Sequence, residues 1–174
     1  MSKHDSEVQK VLDRLREVGS KISDLPWVYP LQEPLFGDGV SQADIASLES
    51  VIKSPLPDDF LLFQKLCGSI SAMDIWNGYS LMEASHIRAL IIDTRSPQVI
   101  QVADGKSTLM PVGGDGGGNM FLMSFIGSSR VSKWNHEVNT QEKLADSFTG
   151  FLERMLEDWE HFAAQDAEWK YLAG

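Results

Sequence analysis

A chain of 174 residues can bury about 70% of its unfolded surface, so it needs no disulfide or metal staple, and its lone Cys67 excludes an internal disulfide and any multi-cysteine zinc site. The net charge of −10 is uneven: residues 25–80 hold seven acids against two bases and residues 137–174 nine against three, which disfavours nucleic-acid binding, where basic surface must displace counterions. No apolar run approaches the roughly 20 residues of a membrane span, and the mixed-charge start "MSKHDSEVQKVLDRLREVGSK" lacks the apolar stretch of a signal peptide.

The expected compartment is therefore the cytoplasm. One domain over residues 1–174 is the simplest organisation at this length. A cysteine in an apolar setting such as that of Cys67 is read as a small core residue.

The first predicted element is a helix. Ser6 and Gln9 have capping-box spacing, and Val8, Val11, Leu12, Leu15 and Val18 form one apolar face that Gly19 is expected to end. "DLPWVYPLQEPLFGDG" follows, and its three prolines rule out a regular helix or central strand. It reads as an extended segment over the core, with Trp27 and Tyr29 as candidate aromatic anchors for a partner or, equally, as core covers.

A second helix starts at Ser41, with Asp44 three residues on and Ile45, Leu48 and Ile52 inward. "SPLP" breaks it. Asp58 and Asp59 then open a third, nearly all-round apolar helix, where negative charge suits the positive end of the dipole. A fourth helix is expected from Ser80 and Glu83, carrying Leu81, Ile87, Leu90 and Ile91 and ending before Pro97.

The hydrophobic period then changes from helix-like to strand-like. "QVIQVA", "DG" and "KSTLMPV" read as strand, turn and strand, since Asp-Gly between apolar runs is a strong hairpin signal. "NMFLMSFI", "GSS" and "RVSKWN" repeat the arrangement, giving a four-stranded antiparallel meander over residues 98–135. A last helix runs from about Ser147 to Ala164, with Phe148, Phe151, Leu152, Met155, Leu156, Trp159 and Phe162 on one broad arc. The fold class that results is α+β.

Five of the fourteen glycines lie in "PVGGDGGGNMFLM", residues 111–123. A phosphate-binding loop needs Lys-Ser or Lys-Thr and then a helix, but here Asn119 and a strand follow. A dinucleotide fingerprint has no register here. An EF-hand needs alternating acids, and only Asp115 is present. The loop therefore reads as a tight turn in the meander, with Asp115, Gly118 and Asn119 as turn residues.

Catalytic patterns are thin. There is no G-x-S-x-G elbow and no H-E-x-x-H helix. His136 beside Glu137 gives two groups that could bind metal or move protons, yet without a third ligand they read as structural. No catalytic, cofactor-binding or metal residue is assigned. A different feature stands out on the last helix, where Glu153, Glu157 and Glu160 follow i, i+4, i+7 spacing with no lysine on the stripe. Like charges so placed repel, and the stripe is a candidate surface for a basic partner, together with Asp58 and Asp59.

Three stretches taken in order resemble one family. "GVSQADIASLESVIKSPLPDDFLLFQKLCG", "MPVGGDGGGNMFLM", and "VSKWNHE" with "ADSFTGFLERML" look like the SUKH superfamily, which includes the SMI/KNR-type fungal cell-wall synthesis regulators and many bacterial proteins. Leu56, Pro57, Asp59 and Phe60 match its helix-entry motif, and Asp115, Gly118 and Asn119 its glycine turn. "CGS" at residues 67–69 departs from the usual "NGG". The resemblance covers about residues 37–156 and leaves residues 1–36, a helix and extended segment, and residues 165–174 outside it.

The resemblance implies a twisted antiparallel sheet with helices packed on it, and a binding protein with no enzymatic activity and no cofactor. For bacterial members it implies immunity: stoichiometric occlusion of a cognate protein toxin, often a nuclease, delivered by neighbouring cells. The toxin would be basic, and a monomer is assumed. Two alternatives stay open: a regulatory or scaffold protein of SMI/KNR type, or a metal-dependent enzyme using Asp115, His136 and Glu137.

Overall fold

The computed structural model describes residues 3–26, 31–93 and 108–173. Among these residues five helices and seven strands follow in the order α1 (Lys3–Ser23), β1 (Leu35–Phe36), α2 (Gln42–Ile52), α3 (Asp58–Leu66), β2 (Ile70–Ala72), β3 (Tyr79–Leu81), α4 (Ala84–Ile92), β4 (Leu109–Asp115), β5 (Met120–Ser124), β6 (Val131–Asn135), β7 (Thr140–Ala145) and α5 (Phe148–Ala163). The strands form one antiparallel sheet in sequence order from β1 to β7. This is an α+β fold.

The expected meander is present from β4 to β6 and extends further on both sides. Its expected first strand, with the Asp104–Gly105 turn, lies outside the described residues, as do Trp27, Tyr29 and Pro97.

α1 does not stop at Gly19 but continues to Ser23, and Ile22 carries its apolar stripe one turn further, fully buried. The glycine serves packing instead: a Cβ there would sit 3.1 Å from Pro34 Cγ and 3.2 Å from Trp159 Cζ3. α1 lies along α5 at this point, and the missing side chain lets the Trp159 ring approach the helix backbone.

The fourth helix also begins later than expected. Ser80 and Leu81 belong to β3, and α4 starts at Ala84. Glu83 makes no side-chain cap; the Ala84 amide donates to Gln64 Oε1 at 2.8 Å instead. Gln64 is fully buried on α3 and its amide group donates to the carbonyls of Met82 (3.0 Å) and Gly68 (3.3 Å). One side chain thus supplies the polar partners that α4's start and the turn after α3 lack.

The core is aromatic where helices meet sheet. Phe60 and Phe63 of α3 surround Phe148, at centroid distances of 4.8 and 5.1 Å, and Phe151 reaches Phe121 of β5 at 5.1 Å. All five rings are fully buried. α5 presents its apolar arc to this core and is capped by Ser147 Oγ, which accepts from the Gly150 amide at 3.0 Å.

The glycine loop is the β4–β5 turn. Asp115 Oδ1 accepts from the amides of Gly117 and Asn119, both at 3.0 Å, and Oδ2 accepts from Asn119 Nδ2 at 2.8 Å. Gly118 alone of the residues 116–118 has a left-handed backbone, at φ +87°, and the His136 ring lies 3.1 Å from where its Cβ would be. Both the conformation and the space exclude a side chain.

Candidate functional site: an acidic groove where α3 and α5 begin

A groove of about 670 Å³ opens where the first turns of α3 and α5 meet the β5–β6 connection. The topology explains it. Two helix N-termini converge, so their short first-turn residues Asp58, Asp59, Ser147, Thr149 and Gly150 leave a depression that Phe125 and Ile126 border. Ile126 stays 58% exposed, the most accessible large apolar side chain of a lining that also includes Pro55, Leu56 and Pro57. Glu7, Asp58, Asp59 and Glu153 line the groove.

The two aspartates differ. Asp59 is turned inward: its Oδ2 accepts from Ser129 Oγ (2.8 Å), the Thr149 amide (3.0 Å) and Thr149 Oγ1 (3.4 Å), and its Oδ1 from the Phe60 amide (2.9 Å). Ser129 Oγ in turn accepts from the Phe148 amide at 3.1 Å. One carboxylate therefore serves the orphan amides of two helix starts and ties α3 to α5. Asp58 and Glu153 are exposed, and neither makes a hydrogen bond or ion pair among the described residues. They are the groove's available charges.

The acidic stripe of α5 is less bare than its spacing suggests. Arg14 of α1 donates to Glu160 at 2.8 Å and Arg154 to Glu157 at 2.9 Å. Arg14 comes from a neighbouring helix and Arg154 lies three residues before Glu157, so neither occupies a position of the stripe itself. Glu160 and Glu17 also hold the Arg14 guanidinium above its usual range. Glu153 is the one member of the stripe that faces the groove.

The glycine turn lies elsewhere. Both oxygens of Asp115 are engaged by the turn itself, and His136 Nδ1 faces Asn119 Oδ1 at 3.4 Å. Among the described residues no three His, Cys, Asp or Glu side chains come together to hold a metal ion. Cys67 is buried, its thiol facing the Ser69 carbonyl at 3.0 Å, and desolvation raises its pKa. No described helix is long and apolar enough to cross a membrane.

Sequence reasoning missed a second polar cluster. Asp158 of α5, on the apolar side of the helix, is fully buried. It accepts from Tyr79 Oη, from Trp169 Nε1 at 2.7 Å and from the Leu172 amide at 2.7 Å. Its interruption of an otherwise apolar arc was the only signal available.

Comparison with curated proteins gives no match. The sequence profile of the SMI1/KNR4 family (SUKH-1) matches residues 39–154, from the lead into α2 through the groove-lining turns of α5, and the chain belongs to that family.

Proposed function

We propose that the protein is a non-enzymatic immunity-type module that neutralises a basic protein toxin by covering its active-site cleft. Family membership supports a protein-binding role. The observation that carries the finer reading is the groove, where exposed Asp58 and Glu153 flank exposed Ile126. Negative charge without internal partners beside an apolar contact suits a cleft built to hold phosphate, as in a nuclease. Such charge chiefly raises the association rate, and salt screens it over about 8 Å at physiological ionic strength.

The test is stopped-flow association with a basic nuclease toxin that the wild-type chain neutralises, using Asp58→Asn/Glu153→Gln. Association of the double variant is expected to slow by about tenfold at low salt, within the range of steering effects, and to converge with wild type at high salt. Equal rates at low salt would remove the groove as the contact face. A regulatory SMI/KNR-type role is separated by titrating the partner: immunity requires its activity to fall to zero at one equivalent.

A further inference from the structure

Residues 165–173 leave α5 through Gln165, in a left-handed conformation at φ +59°, and fold back beside the sheet. They lie beyond the family match. The molecule holds this segment by its main chain and by the buried side chains of Leu172 and Ala173. Asp158 accepts from the Leu172 amide at 2.7 Å, Lys133 donates to the Leu172 carbonyl at 3.0 Å and Arg154 to the Lys170 carbonyl at 2.7 Å.

Two rings anchor it. Trp169 gives its N–H to Asp158, stacks on His161 at 3.6 Å and lies under the Arg154 guanidinium at 4.3 Å. Tyr171 stacks on Trp76 at 4.3 Å. Trp76 is 52% exposed and has φ +52°, a conformation costly for a bulky residue.

Asp158 and Lys133 are both more than nine-tenths buried, and their polar atoms are presented as acceptor and donor to one residue of an extended chain. Main-chain recognition of this kind tolerates different sequences, while aromatic pockets set preference. We propose that the site formed by Asp158, Lys133, Arg154 and Trp76 is a peptide-binding site which residues 169–173 occupy in cis, and that an extended segment of a partner protein, with an indole three residues before an aliphatic residue, takes their place. The inference does not depend on the acidic groove. Opening such a strap exposes Leu172 and Ala173 of the core cluster as well as breaking these bonds, and is the kind of sub-global opening that native-state exchange detects.

Hydrogen exchange on the wild-type chain tests the opening. The Leu172 amide is expected to exchange at least tenfold faster than the Trp159 amide in the middle of α5; equal protection would mean that the segment leaves only with global unfolding and would overturn the proposal. Exchange in trans is tested with a synthetic peptide of residues 165–173. It should bind the full-length Trp169→Ala protein at least tenfold more tightly than wild type, whose own strap competes, and raise the variant's Tm. A peptide carrying the same Trp169→Ala change should do neither. Trp169→Phe, which keeps the ring and loses the N–H, serves if the alanine variant does not fold. Equal binding to both proteins, or no Tm gain in a folded variant, overturns the proposal.

Discussion

Glu153 and Asp158 sit five residues apart on α5 and meet opposite circumstances. Glu153 is exposed over an open groove, while Asp158 is sealed from solvent and surrounded by an O–H donor and two N–H donors. Both are carboxylates on one helix, so residue type does not separate their roles. Helix position puts Glu153 on the polar face and Asp158 in the apolar arc, and what lets the buried one persist is the supply of donors from elsewhere in the chain. A buried charge persists only where hydrogen bonds replace its water, and those donors come from β3 and from the segment after α5.

The comparison breaks most visibly at Asp158. Asp158→Ala would strand Tyr79 Oη, Trp169 Nε1 and the Leu172 amide, and is expected to cost about 3–5 kcal/mol by urea unfolding. Asp158→Asn keeps one acceptor and should cost less. A cost under about 1 kcal/mol for the alanine variant would mean that water reaches the site. Tyr79 gives a pH signature of the same cluster. Burial first, and then the Asp158 charge, raise its pKa above the ordinary value near 10. The sign follows from linkage. Below pH 10 both folded and unfolded states keep the proton and the contribution is complete; above it the unfolded chain ionises first, so stability falls as pH rises. Tyr79→Phe should therefore be less stable at neutral pH and show a flatter decline above pH 10.

Asp59 lies between the two extremes, at the groove yet committed inward. Asp59→Ala should cost about 2–3 kcal/mol, since it leaves the first turns of α3 and α5 without their shared acceptor. If its melting is unchanged while partner binding fails, Asp59 belongs with the contact charges and not with the cross-links. Gly118→Val should cost about 1–3 kcal/mol through the left-handed backbone and the His136 contact. Partner binding should weaken only as far as unfolding requires; a loss without destabilisation would make the turn a recognition surface.

Most helices were legible because their signals are local. Ser41 and Ser147 cap where their sequences predict, and the arcs of α1 and α5 bury as their periodicity requires. β1, β2 and β3 span two or three residues each, too short for alternation to register, and the β1–β2 and β3–β4 pairings join strands distant in sequence. β7, "TQEKLA", is a polar edge strand with little apolar patterning to mark it. Glycine carries two meanings that sequence does not distinguish: Gly19 reads as a stop, but its proximity to Trp159, 140 positions away, decides.

The site was legible in part for the same reason. Asp58, Asp59 and Glu153 could be named as acids, but not which of them the fold had already engaged. Arg14 reaching Glu160 is likewise a contact between α1 and α5 that the residue spacing of α5 alone does not encode.

The smallest expected effect on stability sharpens the comparison furthest. Asp58→Asn/Glu153→Gln removes two exposed charges with no hydrogen-bond or ion-pair partner among the described residues, so the expected cost is only the loss of Asp58 from the positive end of the α3 dipole, about 0.3–1 kcal/mol. Glu160→Gln behaves differently, because it releases Arg14 from an inter-helix ion pair; exposure keeps that pair weak, and a slight loss of stability that shrinks with salt is the expected result. Relief of like-charge repulsion along the stripe would instead raise stability. The sign of the Glu160→Gln shift in low salt, read by calorimetry, therefore tells which neighbour the residue answers to. A rise would return Glu160 to the company of Glu153 and enlarge the face offered to a basic partner. A fall would leave Glu153 and Asp58 as the charges of α5 and α3 that are held ready for another molecule.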